Sequence, residues 1–151
     1  MEIKPENKIS IILTFLVAFF ISSCGPGRSG KQLYISFFGE PIDSCVQIIN
    51  SQDHHSFDDA SAWLNFTTCS SELDRILSQE DYSKKIITKQ EAFDDETATY
   101  GGTIPKWWTP SKLGDSCIKY EFYYEQENTA RRLYVSMAQE IVYCRDMNMT
   151  P

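Results

Sequence analysis

The C-terminal third of the chain alternates apolar and polar side chains with a period of two, which restricts it to extended strands. The first such stretch runs from Ser116 to Gln126, and two more follow, Arg132 to Met137 and Ile141 to Met147. Strands joined by short turns pair in antiparallel fashion. The sequence therefore predicts a three-stranded C-terminal meander. The first stretch alternates Ile118, Tyr120, Phe122 and Tyr124 with Cys117, Lys119, Glu121 and Tyr123, and in the second we expect Leu133, Val135 and Met137 to face inward.

Shorter apolar runs upstream predict further strands, bounded by glycine, proline and polar residues. The predicted strands are 31–38, 45–49, 61–69 and a short edge strand at 85–88. The intervening SQDHHSFDDA segment, residues 51–60, is polar and is expected to be a connection. The acidic segment 91–102 lacks a period and is predicted to be a loop.

One helix is predicted after the third strand. Ser70 or Ser71 can cap its first turn, and Leu73, Ile76 and Leu77 form a narrow apolar stripe with helical spacing. The fold class expected from these elements is α+β. We expect an antiparallel sheet that ends in the meander and carries one main helix on one face.

The N-terminal apolar run from Ile9 to Ile21 has thirteen residues, which is about 20 Å of helix at 1.5 Å per residue. A membrane span needs about 20 residues, so the length is typical of a signal-peptide core. The run ends in Ile21-Ser22-Ser23-Cys24, which resembles a bacterial lipobox. The resemblance implies a thioether-linked lipid on Cys24 and cleavage after Ser23. An ordinary secretory signal and a tilted membrane anchor are the alternatives.

These observations divide the chain into three parts: a lipoprotein signal peptide at 1–23, a flexible tether at 24–30 and one α+β domain at 31–151. Among such lipoproteins an aspartate after the cysteine favours retention in the inner membrane, and Gly25 stands there instead. The resemblance therefore implies the periplasmic face of the outer membrane, with the inner membrane and the cell surface as alternatives.

Four cysteines remain once Cys24 is assigned to lipid: Cys45, Cys69, Cys117 and Cys144. An even number in an exported domain predicts two disulfides, for which three pairings exist. Antiparallel pairing of the second and third strands, with positions that sum to about 114, sets Cys45 opposite Cys69. That register leaves Cys117 to pair with Cys144.

The domain is acidic, with a net charge of −7 that removal of the signal peptide does not change. A chain of this charge lacks the basic surface that nucleic acid requires. It does not favour binding of the domain itself to anionic lipid. It is suited to attracting a basic protein.

Sequence motifs for catalysis or metal binding are few. His54 and His55 lie near several aspartates, but adjacent residues of a strand point to opposite faces and no third spaced ligand accompanies them. The sequence has no nucleophile elbow, zinc-protease or phosphate-loop motif. We therefore predict a protein that is not an enzyme and that needs no metal or cofactor.

The most distinctive segment is Pro105-Lys106-Trp107-Trp108-Thr109-Pro110. Each proline favours extended geometry in the residue before it, and adjacent side chains of an extended chain face opposite ways. We therefore expect one of Trp107 and Trp108 to be buried and the other to contact a partner. The simpler alternative is that both are buried.

These features favour a lipid-anchored envelope protein that binds without catalysis. The most concrete hypothesis is an inhibitor or immunity-type protein that acts against a basic cell-wall-degrading enzyme or toxin. One alternative is a structural or assembly accessory of an envelope complex. Another is a small enzyme or metal carrier that uses the His54 and His55 segment.

Replacing Cys24 with serine is expected to abolish acylation, because the hydroxyl group does not substitute for the thiolate as a nucleophile. Metabolic labelling with a palmitate analogue measures this directly, and a Cys117→Ser variant should keep its label. Undiminished label on the Cys24→Ser variant would contradict the lipobox interpretation.

Overall fold

A six-stranded antiparallel sheet forms the centre of the computed structural model, which describes residues 27–55, 60–98, 103–125 and 128–148. The order across the sheet is β1-β2-β6-β5-β4-β3, and every neighbouring pair is antiparallel. The predicted α+β class and the C-terminal meander of β4, β5 and β6 are confirmed. The strands are β1 (Gln47–His55), β2 (Ala60–Thr67), β3 (Ser83–Thr88), β4 (Ser116–Tyr124), β5 (Thr129–Val135) and β6 (Ile141–Asn148).

Helices cover both faces of this sheet, whereas the sequence predicted one main helix on one face. The helices are α1 (Gly30–Phe38), α2 (Ser70–Leu77), α3 (Lys89–Thr97) and a short 3-10 helix (Pro110–Leu113). Helices α1 and α2 pack on what we call the first face. Helix α3, the tryptophan segment and the 3-10 helix lie over the second face.

The predicted strand at 31–38 is wrong, because this segment is helix α1. Ser29 and Gln32 form a reciprocal capping box, in which each side chain accepts a hydrogen bond from the other residue's backbone N–H. Gly39, at φ 74°, ends the helix in a conformation that glycine adopts without strain. The apolar residues, which looked like a strand, line one side of α1 and are buried. These residues are Leu33, Tyr34, Phe37 and Phe38.

The predicted loop at 91–102 is also wrong in its first part, which belongs to helix α3. Thr88 and Glu91 form a second capping box, and Glu91 also pairs with Lys85. Only Ala92 is buried among the residues of α3. A helix with so little buried surface has no apolar stripe, and its capping residues are the signal that identifies it.

Helix α2 is confirmed, with Leu73 and Ile76 buried and Leu77 partly buried. Its N-cap is Cys69 rather than a serine. Its Glu72 links it to α1, since it accepts a 2.6 Å hydrogen bond from the hydroxyl of Tyr34. Bonds from Arg75 lower the pKa of Glu72, against the opposing effect of burial.

Strand boundaries differ from the predictions by a few residues at most ends, and two of the differences matter. Strand β1 continues through residues 51–55, which the sequence predicted to be a connection, because an edge strand is held by backbone pairing with β2 and does not need apolar alternation. Met137 lies in the turn after β5 and is 51% exposed, so its predicted inward orientation is wrong. The predicted edge strand at 85–88 is confirmed within β3.

One disulfide joins Cys45 to Cys69, with the Cα atoms 5.9 Å apart. The register that motivated this pairing is present, since Gln47 lies opposite Thr67 and Ile48 opposite Phe66. A bridge that closes a loop of this length contributes about 3 kcal/mol to stability through the entropy of the unfolded chain.

The second predicted disulfide is absent, because Cys117 and Cys144 are free and buried. They lie on β4 and β6, with β5 between them. Cys144 belongs to the core of the first face and Cys117 to the cluster on the second face. Two sulfurs on opposite faces of one sheet cannot bond without a rearrangement of the strands.

Burial controls the chemistry of both thiols. It raises the pKa of Cys117 to about 11, and it raises that of Cys144 further. At pH 8 only about one thousandth of a thiol with a pKa of 11 is ionised, and the thiolate is the reactive form. Both cysteines should therefore resist alkylation in the folded chain.

Thiol titration of a Cys24→Ser chain without reductant is expected to give two thiols in denaturant and almost none in the native state at pH 8. The native thiols are protected by burial and by their raised pKa. The Cys117→Ser/Cys144→Ser double variant should give none in either state. A denatured value near zero for the parent chain would contradict the unpaired state of Cys117 and Cys144.

Candidate functional site

The proposed lipid-bearing residue, Cys24, lies outside the described residues. Arg28 and Ser29 of the predicted tether are bound to the domain. Arg28 donates to both carboxylate oxygens of Asp53, at 2.8 and 3.0 Å, while Ser29 caps α1. Within the described residues, no helix is long and apolar enough to cross a membrane.

The histidines of the third functional hypothesis lie at the end of the edge strand β1, where His54 pairs with Ser61 and His55 with Ala60. The potential metal ligands that the described residues bring within 4.8 Å of one another are Asp43, Cys45 and Cys69. Both of these sulfurs are in the disulfide, so neither is available as a thiolate ligand.

The tryptophan segment is a turn and not an extended strand. The amide of Trp108 donates to the carbonyl of Pro105 at 2.9 Å, which closes a turn around Lys106 and Trp107. The turn brings the two indole rings into edge contact, with centroids 6.5 Å apart, instead of sending them to opposite sides. Trp108 is 2% exposed, whereas Trp107 is half-buried at the edge of the same cluster.

Trp108 packs against two tyrosines of the second face. The ring of Tyr134 lies 5.8 Å and that of Tyr143 5.6 Å from the Trp108 ring, both in edge-to-face geometry. Such aromatic pairs contribute about 0.5–1.5 kcal/mol each beyond the area they bury. Trp108 therefore serves as a core residue, and its replacement would damage the fold before it revealed any partner contact.

Charged groups of α3 complete this second-face layer. Asp95 accepts hydrogen bonds from Lys119, at 2.7 Å, and from the hydroxyl of Tyr134, at 3.1 Å. Glu96 accepts from the hydroxyl of Ser111 at 2.6 Å and so holds α3 to the 3-10 helix. Burial, followed by the charge of Asp95, raises the pKa of Tyr134, which stays protonated.

Phe93 is the exposed aromatic residue of this layer, at 49% exposure. It lines a shallow cavity of about 490 Å³ together with Lys89, Gln90 and Ser111. The next residue, Asp94, is exposed and accepts a hydrogen bond from Gln90. We call Phe93 and Asp94 of α3, together with the half-buried Trp107 of the second-face cluster, the aromatic–acidic surface. It offers an apolar anchor beside a carboxylate.

A second concave feature, which we call the cleft, lies on the first face where β2 begins and β6 ends. Its volume is about 290 Å³. Four residues lie in register on neighbouring strands here, Asp53, Ala62, Asp146 and Arg131, and the last three of them line the cleft. The small side chain of Ala62 leaves space between the two carboxylates, and the last turn of α1 overhangs this space with Ser36 and Phe37.

Two ion pairs flank the cleft. Arg28 pairs with Asp53, and Arg131 pairs with Asp146, at an Nη2 to Oδ2 distance of 2.7 Å. The carboxylate of Asp146 also attracts Arg28, so both arginines respond to it. Arg28 is the accessible member, with 39% of its side chain exposed, while the side chain of Asp53 is 3% exposed.

Arg131 is 7% exposed and is held on several sides. Its Nη1 donates to the carbonyl of Phe37 at 2.7 Å, and its guanidinium lies 5.0–5.6 Å from the ring centroids of Phe37, Phe38 and Tyr124. Burial alone would lower its pKa, but the charge of Asp146 and the bond to it raise that pKa on balance. Arg131 is therefore a permanent cation beneath the cleft.

Sequence reasoning missed Phe93, Asp146 and Arg131 as candidate site residues. Phe93 gave no signal because residues 91–102 were predicted to be a loop. The capping-box pattern Thr88-x-x-Glu91 does predict the start of helix α3. Arg131 and Asp146 lie on different strands and meet only through the β5–β6 register. Arg131 precedes the predicted strand at 132, so its inward orientation carried no signal in the sequence.

Comparison of the chain with protein-family models, with curated proteins and with solved structures finds no match.

Proposed function

We propose that this chain is a lipid-anchored envelope protein that binds, without catalysis, a basic cell-wall-degrading enzyme or toxin as an inhibitor or immunity-type protein. The observation that carries the proposal is the aromatic–acidic surface of Phe93, Asp94 and Trp107. An exposed aromatic residue is a frequent energetic centre of protein interfaces. The carboxylate beside it selects for a cationic neighbour on the partner.

The overall charge supports a basic partner. With a net charge of −7, the chain attracts cationic proteins over distances comparable with the Debye length, about 8–10 Å at physiological salt. Two of the carboxylates on α3, Glu91 and Asp95, are committed to lysines of the chain itself. Asp94 has Gln90 as its bonding partner, so its full negative charge remains for a partner protein.

The two aromatic residues of this surface are held firmly from below. Trp107 packs on the buried Trp108, and α3 is fixed by Asp95 and Glu96 to β4, β5 and the 3-10 helix. A preorganised contact surface loses less entropy on association than a mobile loop does. This rigidity favours tight, non-catalytic binding of the kind that an inhibitor requires.

Phe93→Ala is expected to weaken partner binding by about 30-fold or more, which corresponds to the roughly 2 kcal/mol of an interface hot spot. Trp107→Ala should act in the same direction. Tyr123→Ala is the matched control, since Tyr123 is also aromatic and 45% exposed but belongs to β4 and does not line the Phe93 cavity. The measurement is capture of partner from envelope extract, with purified variants at low and high salt.

Urea unfolding of each variant separates binding from folding. Phe93→Ala should change the free energy of unfolding by no more than about 0.5 kcal/mol, as surface substitutions do. Trp108→Ala should cost about 3–5 kcal/mol through lost burial and a cavity. A partner that is retained by Phe93→Ala and not released by salt would contradict the proposal and favour an assembly accessory instead.

A further inference from the structure

The cleft on the first face is not used by the proposed binding surface, which lies on the second face. Two arginine–aspartate ion pairs lie at this cleft, next to the apolar core, where charged side chains are uncommon. Removing a charge from water costs several kcal/mol, and an apolar pair of similar volume often serves stability as well. Charged side chains that are buried at a cavity are therefore candidates for ligand binding.

Hydrogen bonding at the cleft is incomplete on the side of the second ion pair. Within the described part of the chain, Asp146 Oδ1 and Arg131 Nε are buried and make no hydrogen bond. Arg131 is more than nine-tenths buried, so water does not readily satisfy its Nε. Native structures leave few buried polar atoms without partners, and each exception calls for an explanation such as a ligand.

The arrangement of charge defines the ligand chemistry. Asp146 supplies a carboxylate at the cleft floor, and Arg28 supplies an accessible guanidinium at the rim. Ser36, Ser61 and Thr129 also line this space. We propose that the cleft binds a small zwitterion, with its ammonium group toward Asp146 and its phosphate or carboxylate group toward Arg28.

The size of the cleft agrees with this class of ligand. Its volume of about 290 Å³ lies at the lower end of small-molecule sites, which span roughly 300–1,000 Å³. A head group or an amino acid has this scale. The two ion pairs contain two arginines and two aspartates, so their net charge is zero. A neutral ligand that carries one positive and one negative group therefore suits the cleft better than a simple anion or a simple cation does.

The position of the N-terminus makes a lipid head group the favoured source. Gly27 lies at the cleft end of β1, where a Cβ on it would be 3.6 Å from the Cβ of Asp53. Cys24 is three residues earlier, a reach of about 10 Å in extended chain. If Cys24 is lipidated, as in the proposed function, the cleft lies at the membrane surface, where phosphoethanolamine groups are abundant. A free amino acid offers the same chemistry without a membrane.

Calorimetric titration of the full chain in dodecyl maltoside tests the inference. The probes are glycerophosphoethanolamine, alanine and glycerophosphocholine. Glycerophosphoethanolamine should bind with a Kd of about 1 mM or tighter. Glycerophosphocholine should bind at least about tenfold more weakly, because its quaternary ammonium has no N–H to donate to Asp146. Binding of alanine in preference to glycerophosphoethanolamine would support the site with a free amino acid as its source.

Absence of binding by both glycerophosphoethanolamine and alanine at about 10 mM would overturn the inference, as would equal binding of all three probes. Since this titration needs no partner protein, its outcome is independent of the proposed inhibitor role. The same titration is repeated on the unlipidated Cys24→Ser chain. The cleft should bind the soluble probes with and without the lipid, so this comparison separates an effect of the lipid anchor from an effect of the cleft.

Variants locate the binding in the cleft. Asp146→Asn and Arg28→Gln should each weaken glycerophosphoethanolamine binding at least about tenfold, by removing one of the two charges that hold it. Asp115→Asn, which removes an exposed carboxylate elsewhere, should bind as the parent does. The side chain of Arg28 is 39% exposed and lies outside the core, so its variant keeps the test valid if Asp146→Asn does not fold. Parent-like binding by both cleft variants would overturn the assignment.

Discussion

The buried guanidinium of Arg131 is the interaction on which the first face depends. A helix leaves its last carbonyls without intrahelical donors, and the end of α1 is buried against the sheet. Arg131 donates to the carbonyl of Phe37, while Arg75 and Gln79 donate to that of Phe38. Cations at a helix C-terminus are also favoured by the helix dipole. The sheet and α2 thus satisfy the end of α1 that carries two of the core phenylalanines.

The same residue links the helix to the cleft. Arg131 pairs with Asp146 in one register across the sheet, and Arg28, just before α1, pairs with Asp53 in that register. Both ends of α1 are therefore fastened to the sheet by arginine–aspartate pairs on either side of Ala62. This arrangement holds the helix over a space that no side chain of the described residues fills. The position of α1 and the existence of the cleft have one physical cause.

The sequence predicted the elements whose signals are local and periodic. The meander and α2 follow from regular spacing of apolar residues, and Cys45–Cys69 follows from a register of two paired strands. Helix α1 was predicted to be a strand because its many apolar residues outweigh the short capping box of Ser29 and Gln32. Helix α3 was predicted to be a loop because it has no apolar stripe, and the capping box of Thr88 and Glu91 is its one helical signal. The cleft depends on contacts between distant strands, which a single sequence does not reveal.

Hydrogen–deuterium exchange of an Arg131→Lys chain tests the central claim most directly, with Arg132→Lys as the control on the neighbouring residue. Lysine keeps the charge but lacks the rigid guanidinium fork, in which Nη1 bonds the carbonyl of Phe37 and Nη2 bonds Asp146. The amides of α1 should exchange at least about tenfold faster in Arg131→Lys, while those of β5 and β6 keep their protection. Unchanged exchange in α1, or an equal loss of protection across the sheet, would contradict the role given to Arg131.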